Sequence, residues 1–220
     1  MATPISSFRN KVIPHVPGCP WPKIDEVVVD ALRKFCEDTY LIERGIESED
    51  IDYTTIDATD NDAITINLAS HYTGYDPIVP VEFQIDGAPY HLQELYLYND
   101  NSNLDSITLP GIKFFNFPTT ASMKIFPFTG QGANFDIYLK LALKPSLAVT
   151  TVDDLFFNNW ADAIEFLAAG ILQGIPERPW YNPDRAALNL GLYQIKKGDA
   201  KLLKNMGFAK GSQAIKGGYF

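Results

Sequence analysis

The chain has 220 residues, 46% of them apolar, and a formal charge of −9. That is enough to build one large core or two small ones. No run of eighteen apolar residues occurs, so no membrane-spanning helix is predicted, and Met1–Asn10 lacks the charged-then-apolar layout of a secretory signal. Two cysteines, Cys19 and Cys36, exclude a disulfide framework or a four-cysteine zinc site and read as reduced thiols of a cytosolic setting.

Taken in chain order, Ile13–Pro22 (IPHVPGCPWP) holds four prolines and reads as an extended, turn-rich leader. Pro22 then suits the first position of a helix, where a missing N–H costs nothing. Ile24, Val27, Val28, Ala31, Leu32, Phe35 and Ile42 recur at three- and four-residue steps, which predicts a helix to about Arg44, ended by Gly45. Leader and first helix together make a segment 1–46.

Between residues 47 and 147 the period falls to two. Alternation in Ala63–Ala69, Val79–Ile85, His91–Tyr98, Ile112–Phe117, Met123–Phe128 and Phe135–Leu143, with turn residues between, predicts an inserted antiparallel β domain, a sandwich or a partly open barrel.

Residues 148–206 return to helical spacing. A second helix is expected from about Val152–Asp154, capped by Thr151, with Phe156, Trp160, Ala163, Ile164, Leu167 and Ile171 as its stripe. Phe157, Ala161, Ala168 and Ala169 make its other side apolar as well, the mark of a helix buried between neighbours. The link Pro176–Pro183 follows, and Asn182-Pro183 is a cap followed by a proline suited to open the third helix. Leu188, Leu192, Ile195, Leu202 and Met206 carry that helix's stripe. Gly191 and Gly198 inside it cost about 1 kcal/mol each relative to alanine; either they permit close approach of another helix or they mark a kink. The predicted class is therefore α+β: a bundle of three main helices with the β domain inserted, completed by an extended C-terminal arm, 207–220.

Charge is unevenly spread. Residues 185–220 carry seven Lys/Arg against one acid, a net +6, which leaves −15 on residues 1–184. An acidic body with a basic end is expected to repel nucleic acid and to offer the end to an acidic partner. The four-glycine arm cannot recover its own ordering entropy of about 1–2 kcal/mol per residue, so it is expected to fold only against that partner. Lys201, Lys204, Lys210, Lys216, Tyr219 and Phe220 are the residues assigned to this contact. Trp160, Ala168, Trp180, Pro183 and Gly191 are assigned to packing of the hairpin or of neighbouring subunits.

Catalytic and cofactor signatures are missing from the sequence. His15, His71 and His91 lack companions at metal-ligand spacing and read as hydrogen-bonded structural residues. There is no phosphate loop, nucleophile elbow or dinucleotide fingerprint. Glu47–Asp52 lacks the ladder of a calcium loop and reads as a solvated turn. No enzyme, cofactor or metal is expected. Trp180-Tyr181 reads as a staple beneath the hairpin turn in preference to a binding surface.

Three segments resemble the head-to-tail adaptor (connector) proteins of tailed bacteriophages. These are the leader and first helix, VIPHVPGCPWPKIDEVVVDALRKFCEDTY, including Ala31-Leu32-Arg33-Lys34-Phe35-Cys36; the exit Leu143-Lys144-Pro145-Ser146; and Arg178-Pro179-Trp180-Tyr181-Asn182-Pro183, similar to the family's Lys-Pro-Trp-Ser-Asn-Pro link. They span both ends of the chain, about half of it. Phe156, Phe157, Trp160 and Phe166 depart from the alanine-rich second helix of that family. The resemblance implies a virion neck protein assembled in the host cytoplasm, a ring of usually twelve copies under the portal. It also implies a tail or nozzle protein below, duplex DNA passing through without sequence recognition, and no membrane. An acidic lining would let DNA slide, and ring contacts are heterologous. The competing reading is a receptor- or carbohydrate-binding β module on a helical base, suggested by Tyr90, Tyr96, Tyr98, Phe114 and Phe115; a hydrolase hidden in the sheet is a third.

Overall fold

The structure is a computed structural model that describes residues 2–46, 53–54, 64–68, 71–85, 88–94, 112–126 and 137–205. Its elements in order are β1 (Ala2–Pro4), α1 (Ser6–Val12), a 3-10 turn (Ile13–His15), α2 (Trp21–Thr39), β2 (Ile42–Ile46), β3 (Tyr53–Thr54), β4 (Ile64–Asn67), β5 (Tyr75–Ile85), β6 (Ala88–Pro89), β7 (His91–Glu94), β8 (Ile112–Thr119), β9 (Ser122–Phe126), β10 (Ile137–Pro145), β11 (Thr151–Asp153), α3 (Asp154–Gln173) and α4 (Pro183–Asn205). The class is α+β. Two compact units divide the chain: Met1–Ala31 with Asp153–Phe220, and Leu32–Val152.

The first unit is helical. A helix precedes the proline-rich Ile13–Pro22, and that stretch itself is a 3-10 turn and bends up to the start of α2, turn-rich as expected but not extended. Phe8 and Val12, one turn apart, are fully buried, and this burial carries the seven-residue helix α1, which has no side-chain cap of its own. The Phe8 ring meets Phe157 of α3 edge-on at 4.8 Å. Pro14 fits the 3-10 turn because the first turn needs no N–H from it, and Gly18 takes φ +83, which L side chains avoid. Arg9 reaches across to pair with Asp25 of α2.

α3 is buried on two sides, as its doubled apolar pattern predicts. Phe156, Trp160, Ala163, Ile164 and Leu167 are buried, and so are Ala161, Ala168, Ala169 and Leu172; α1 and α4 both pack on it. Two details differ from expectation. Thr151 lies in β11, not at the helix start, and Ile171 is 38% exposed.

α4 starts where Asn182-Pro183 predicts. The Asn182 side-chain oxygen accepts from the Arg185 N–H at 3.0 Å, and Ala186 N–H bonds the Asn182 carbonyl at 2.9 Å. Its buried face is a correction. Ala186, Asn189, Tyr193 and Ala200 face inward, while Leu188, Ile195 and Leu202 are 63%, 62% and 61% exposed. The reason is a close crossing of α3 and α4 at Gly170. A Cβ there would lie 2.9 Å from the Leu190 side chain and 3.4 Å from the Ala186 carbonyl. The missing side chain at Gly170 makes room for Leu190 and the Ala186 backbone, which turns Ala186, Asn189 and Tyr193 inward.

The second unit is built on two sheets, ordered β2-β10-β5-β6 and β3-β4-β9-β8-β7. All pairings within them are antiparallel except β7 on β8, which is parallel. The sheets share one core. From β10, Ile137, Leu139, Leu141 and Leu143 alternate into it, and Ile66, Phe83, Phe115, Met123 and Ile125 meet them from the other strands. The first helix stops at Thr39, short of the expected Arg44. Thr39 Oγ1 donates back to the Phe35 carbonyl at 2.6 Å, and Tyr40 turns left-handed at φ 50. Ile42–Ile46 then pairs with β10, with Ile42 opposite Leu143. Gly45 suits that strand, since a Cβ would come 3.0 Å from the Tyr138 hydroxyl and the ring would have to give way. Helical spacing carried through Ile42 therefore overran a real strand. Arg33 donates to Asp76 at 2.7 Å and to the Pro145 carbonyl at 2.6 Å, and Lys144 pairs with Glu37 at 2.7 Å, fixing the end of α2 on the strands.

Candidate functional site

The helix hairpin α3–α4 is the candidate interaction site. Its link is tight. Gly174 N–H returns to the Gly170 carbonyl at 3.1 Å, Tyr181 N–H to Arg178 at 2.9 Å, and Asn182 N–H to Gln173 at 3.0 Å. Trp180 is half-buried, with its indole N–H out of solvent and without a partner among the described residues, whereas Tyr181 is 46% exposed. Burial therefore separates the two rings: Trp180 is half-covered and Tyr181 is exposed.

A polar chain crosses the interior of the helical unit. Asn189 Nδ2 donates to Gln173 Oε1 at 2.8 Å, and Gln173 Nε2 donates to the His15 carbonyl at 2.8 Å. Both amides are almost fully buried, at 5% and 1% exposure. Buried amides so paired fix one register between α4, α3 and the turn after α1, because any slide leaves them unsatisfied. His15 Nε2 lies 2.8 Å from Glu165 of α3, and Lys11 pairs with Asp162 at 2.9 Å. The bond to Asp162, with further help from Glu165, raises the Lys11 ammonium above its ordinary range.

The residues singled out from sequence separate into three places. Trp160 and Ala168 lie inside the hairpin, at 7% and 0% exposure. Pro183 and Gly191 lie on the exposed side of α4, and a Cβ on Gly191 would meet nothing within 4 Å. Lys201 is exposed and Lys204 half-buried near the end of α4. Lys210, Lys216, Tyr219 and Phe220 lie outside the described residues. Gln173 and Asn189 were missed. Their signal was present: Ala186, Asn189, Tyr193 and Ala200 also recur at three, four and seven, as a small and polar stripe.

Elsewhere the chemistry is sparse. Among the described residues no group of three or more His, Cys, Asp or Glu could hold a metal. Burial pushes the Cys36 thiol up to about 12 and raises Cys19 as well. Pro80–Phe83 and Tyr90–Leu92 line an open cleft of about 170 Å³. Of the aromatics that suggested a glycan surface, Phe115 is core and Tyr90 packs against it; Tyr96 and Tyr98 lie outside the described residues, as do Glu47–Asp52. No described helix is long and apolar enough to cross a membrane. No protein-family model matches the chain, and a search of curated proteins finds no significant relative.

Proposed function

We propose that this chain is a structural adaptor of a tailed-phage neck, a ring subunit that docks under the portal, joins it to the tail and surrounds the DNA path. The observation that carries the reading is the charge division along the chain. Residues 1–184 hold −15, and the segment from Arg185 onward holds +6. Like charge along the body keeps a duplex from sticking, while the basic end supplies attraction for an acidic docking surface. A helical unit drawn from both ends of the chain, with the β unit between, agrees with the order of elements in such adaptors. The segmental resemblance in the leader, the exit and the hairpin link supports the same class.

The test is a truncation. A chain ending at Met206 should keep its helical and β signals and lose binding to a purified portal ring. Undiminished binding by the truncated chain would remove the arm from the account.

A further inference from the structure

We infer that the seam between β5 and β7 is a peptide-binding notch, which takes a short extended segment of another protein as an added strand. β7 is the end strand of its sheet and has β8 on one side only. On β5, pairing with β6 is confined to Gln84 and Ile85, so from Tyr75 to Phe83 its far side carries no strand among the described residues. A backbone bond ties the two edges, Tyr90 N–H to the Phe83 carbonyl at 2.9 Å. Beside it the edges part, and Pro80–Phe83 with Tyr90–Leu92 line the open cleft of about 170 Å³.

Size, backbone and side chains together select the occupant. At about 170 Å³ the cleft is smaller than the roughly 300–1,000 Å³ that encloses a cofactor or drug-sized ligand. Its walls are strand edges, and Pro80–Phe83 span about 13 Å at 3.3 Å per residue, room for a few residues of extended chain. Val81 is the extra residue of a bulge. Lys140 lies opposite Glu82 and Leu141 opposite Pro80, which leaves Val81 outside the β10 ladder, and Val81 is 45% exposed. The carboxylate of the lining, Glu82, is engaged by Gln84 at 2.6 Å. Tyr90 rests against Phe83 with ring centroids 6.2 Å apart and forms an apolar floor. Main chain is therefore the recognising group, and the floor suits a β-branched or aromatic residue of the guest. Pro77 and Pro80, with a second bulge near Val79, keep the whole β5 edge from pairing with the sheet of another copy. One narrow strand is what the notch admits. The site belongs to the β unit and its test needs no portal, so it stands apart from the adaptor reading.

The experiment uses the full chain, immobilised, and a displayed library of random peptides of about ten residues, the upper length of common strands. Enriched peptides should alternate β-branched or aromatic residues with polar ones. Bound, they should slow hydrogen exchange in Pro80–Phe83 and Tyr90–Leu92. N-methylation of alternate amides of an enriched peptide should weaken binding by roughly tenfold or more in one alternating set and little in the other, since a strand bonds its neighbour through every second residue. Val81→Ala, which keeps the main chain, should bind nearly as the parent does. Val81→Pro, which removes the N–H, should lose binding with unchanged far-ultraviolet circular dichroism. The N-methyl series leaves the protein untouched, so it decides the matter if Val81→Pro does not fold. No enrichment over a bare surface, protection confined to other segments, or equal weakening by both N-methyl sets would overturn the inference. So would binding of glycans at these residues in place of peptides.

Discussion

Replacing Asn189 with alanine tests the polar chain that sets the hairpin register. The Asn189 amide is the donor to Gln173 Oε1 at 2.8 Å, and both residues are buried. Without it Gln173 keeps its bond to the His15 carbonyl but leaves a desolvated oxygen without that donor. An orphaned buried acceptor costs about 1–3 kcal/mol. The truncation leaves only a small hole, so the expected loss is on the order of 2 kcal/mol, a large share of a domain's stability. All three tryptophans, Trp21, Trp160 and Trp180, belong to the helical unit. Tryptophan emission in a urea titration therefore reports that unit alone, even if the two units unfold separately. Asn189→Leu combined with Gln173→Leu should be less destabilised than the two single losses added, with a coupling of about 0.5–3 kcal/mol. A loss under about 0.5 kcal/mol for Asn189→Ala would show that the pair does not hold the register.

Cys36 predicts a pH dependence. Its folded pKa is raised from 9.0 to about 12, so its contribution is intact below pH 9 and falls as the unfolded thiol ionises, by on the order of 1 kcal/mol per pH unit above 9. Urea midpoints of Cys36→Val should show a shallower alkaline decline than those of the parent, and a thiol reagent at pH 8 should leave native Cys36 unmodified; fast labelling would contradict its burial. In the β unit, Arg33→Ala removes the bonds to Asp76 and the Pro145 carbonyl. A loss of about 1–3 kcal/mol is expected in β-sheet circular dichroism, with the tryptophan transition little moved; equal shifts in both would refute an effect confined to that unit.

What the sequence disclosed follows the range of the forces involved. The start of α4 was legible because the Asn182 cap and Pro183 act within one turn. The apolar two-sidedness of α3 was legible because α1 and α4 flank it. The class, helices around an inserted set of strands, came from the change of period. The inward face of α4 was hard to read, since the small and polar stripe of Ala186, Asn189, Tyr193 and Ala200 has helical spacing but is outweighed in the sequence by the larger aliphatics Leu188, Ile195 and Leu202 on the other side. α1 was hidden because its helix is held by burying Phe8 and Val12, not by capping. The end of α2 was hidden because β10 claims Ile42–Ile46 through pairing that only the fold creates. For the candidate site, the burial of Trp160 on the main stripe of α3 and of Ala168 on its second apolar side follows the doubled pattern, whereas the Gln173–Asn189 bond depends on how two helices meet.

The most direct test of the adaptor reading is the mass of a purified portal ring incubated with saturating full-length chain. The account predicts a complex heavier than the portal by a whole number of chains that matches the portal's own symmetry, twelve for a twelve-fold ring. A portal mass unchanged at saturation would contradict it.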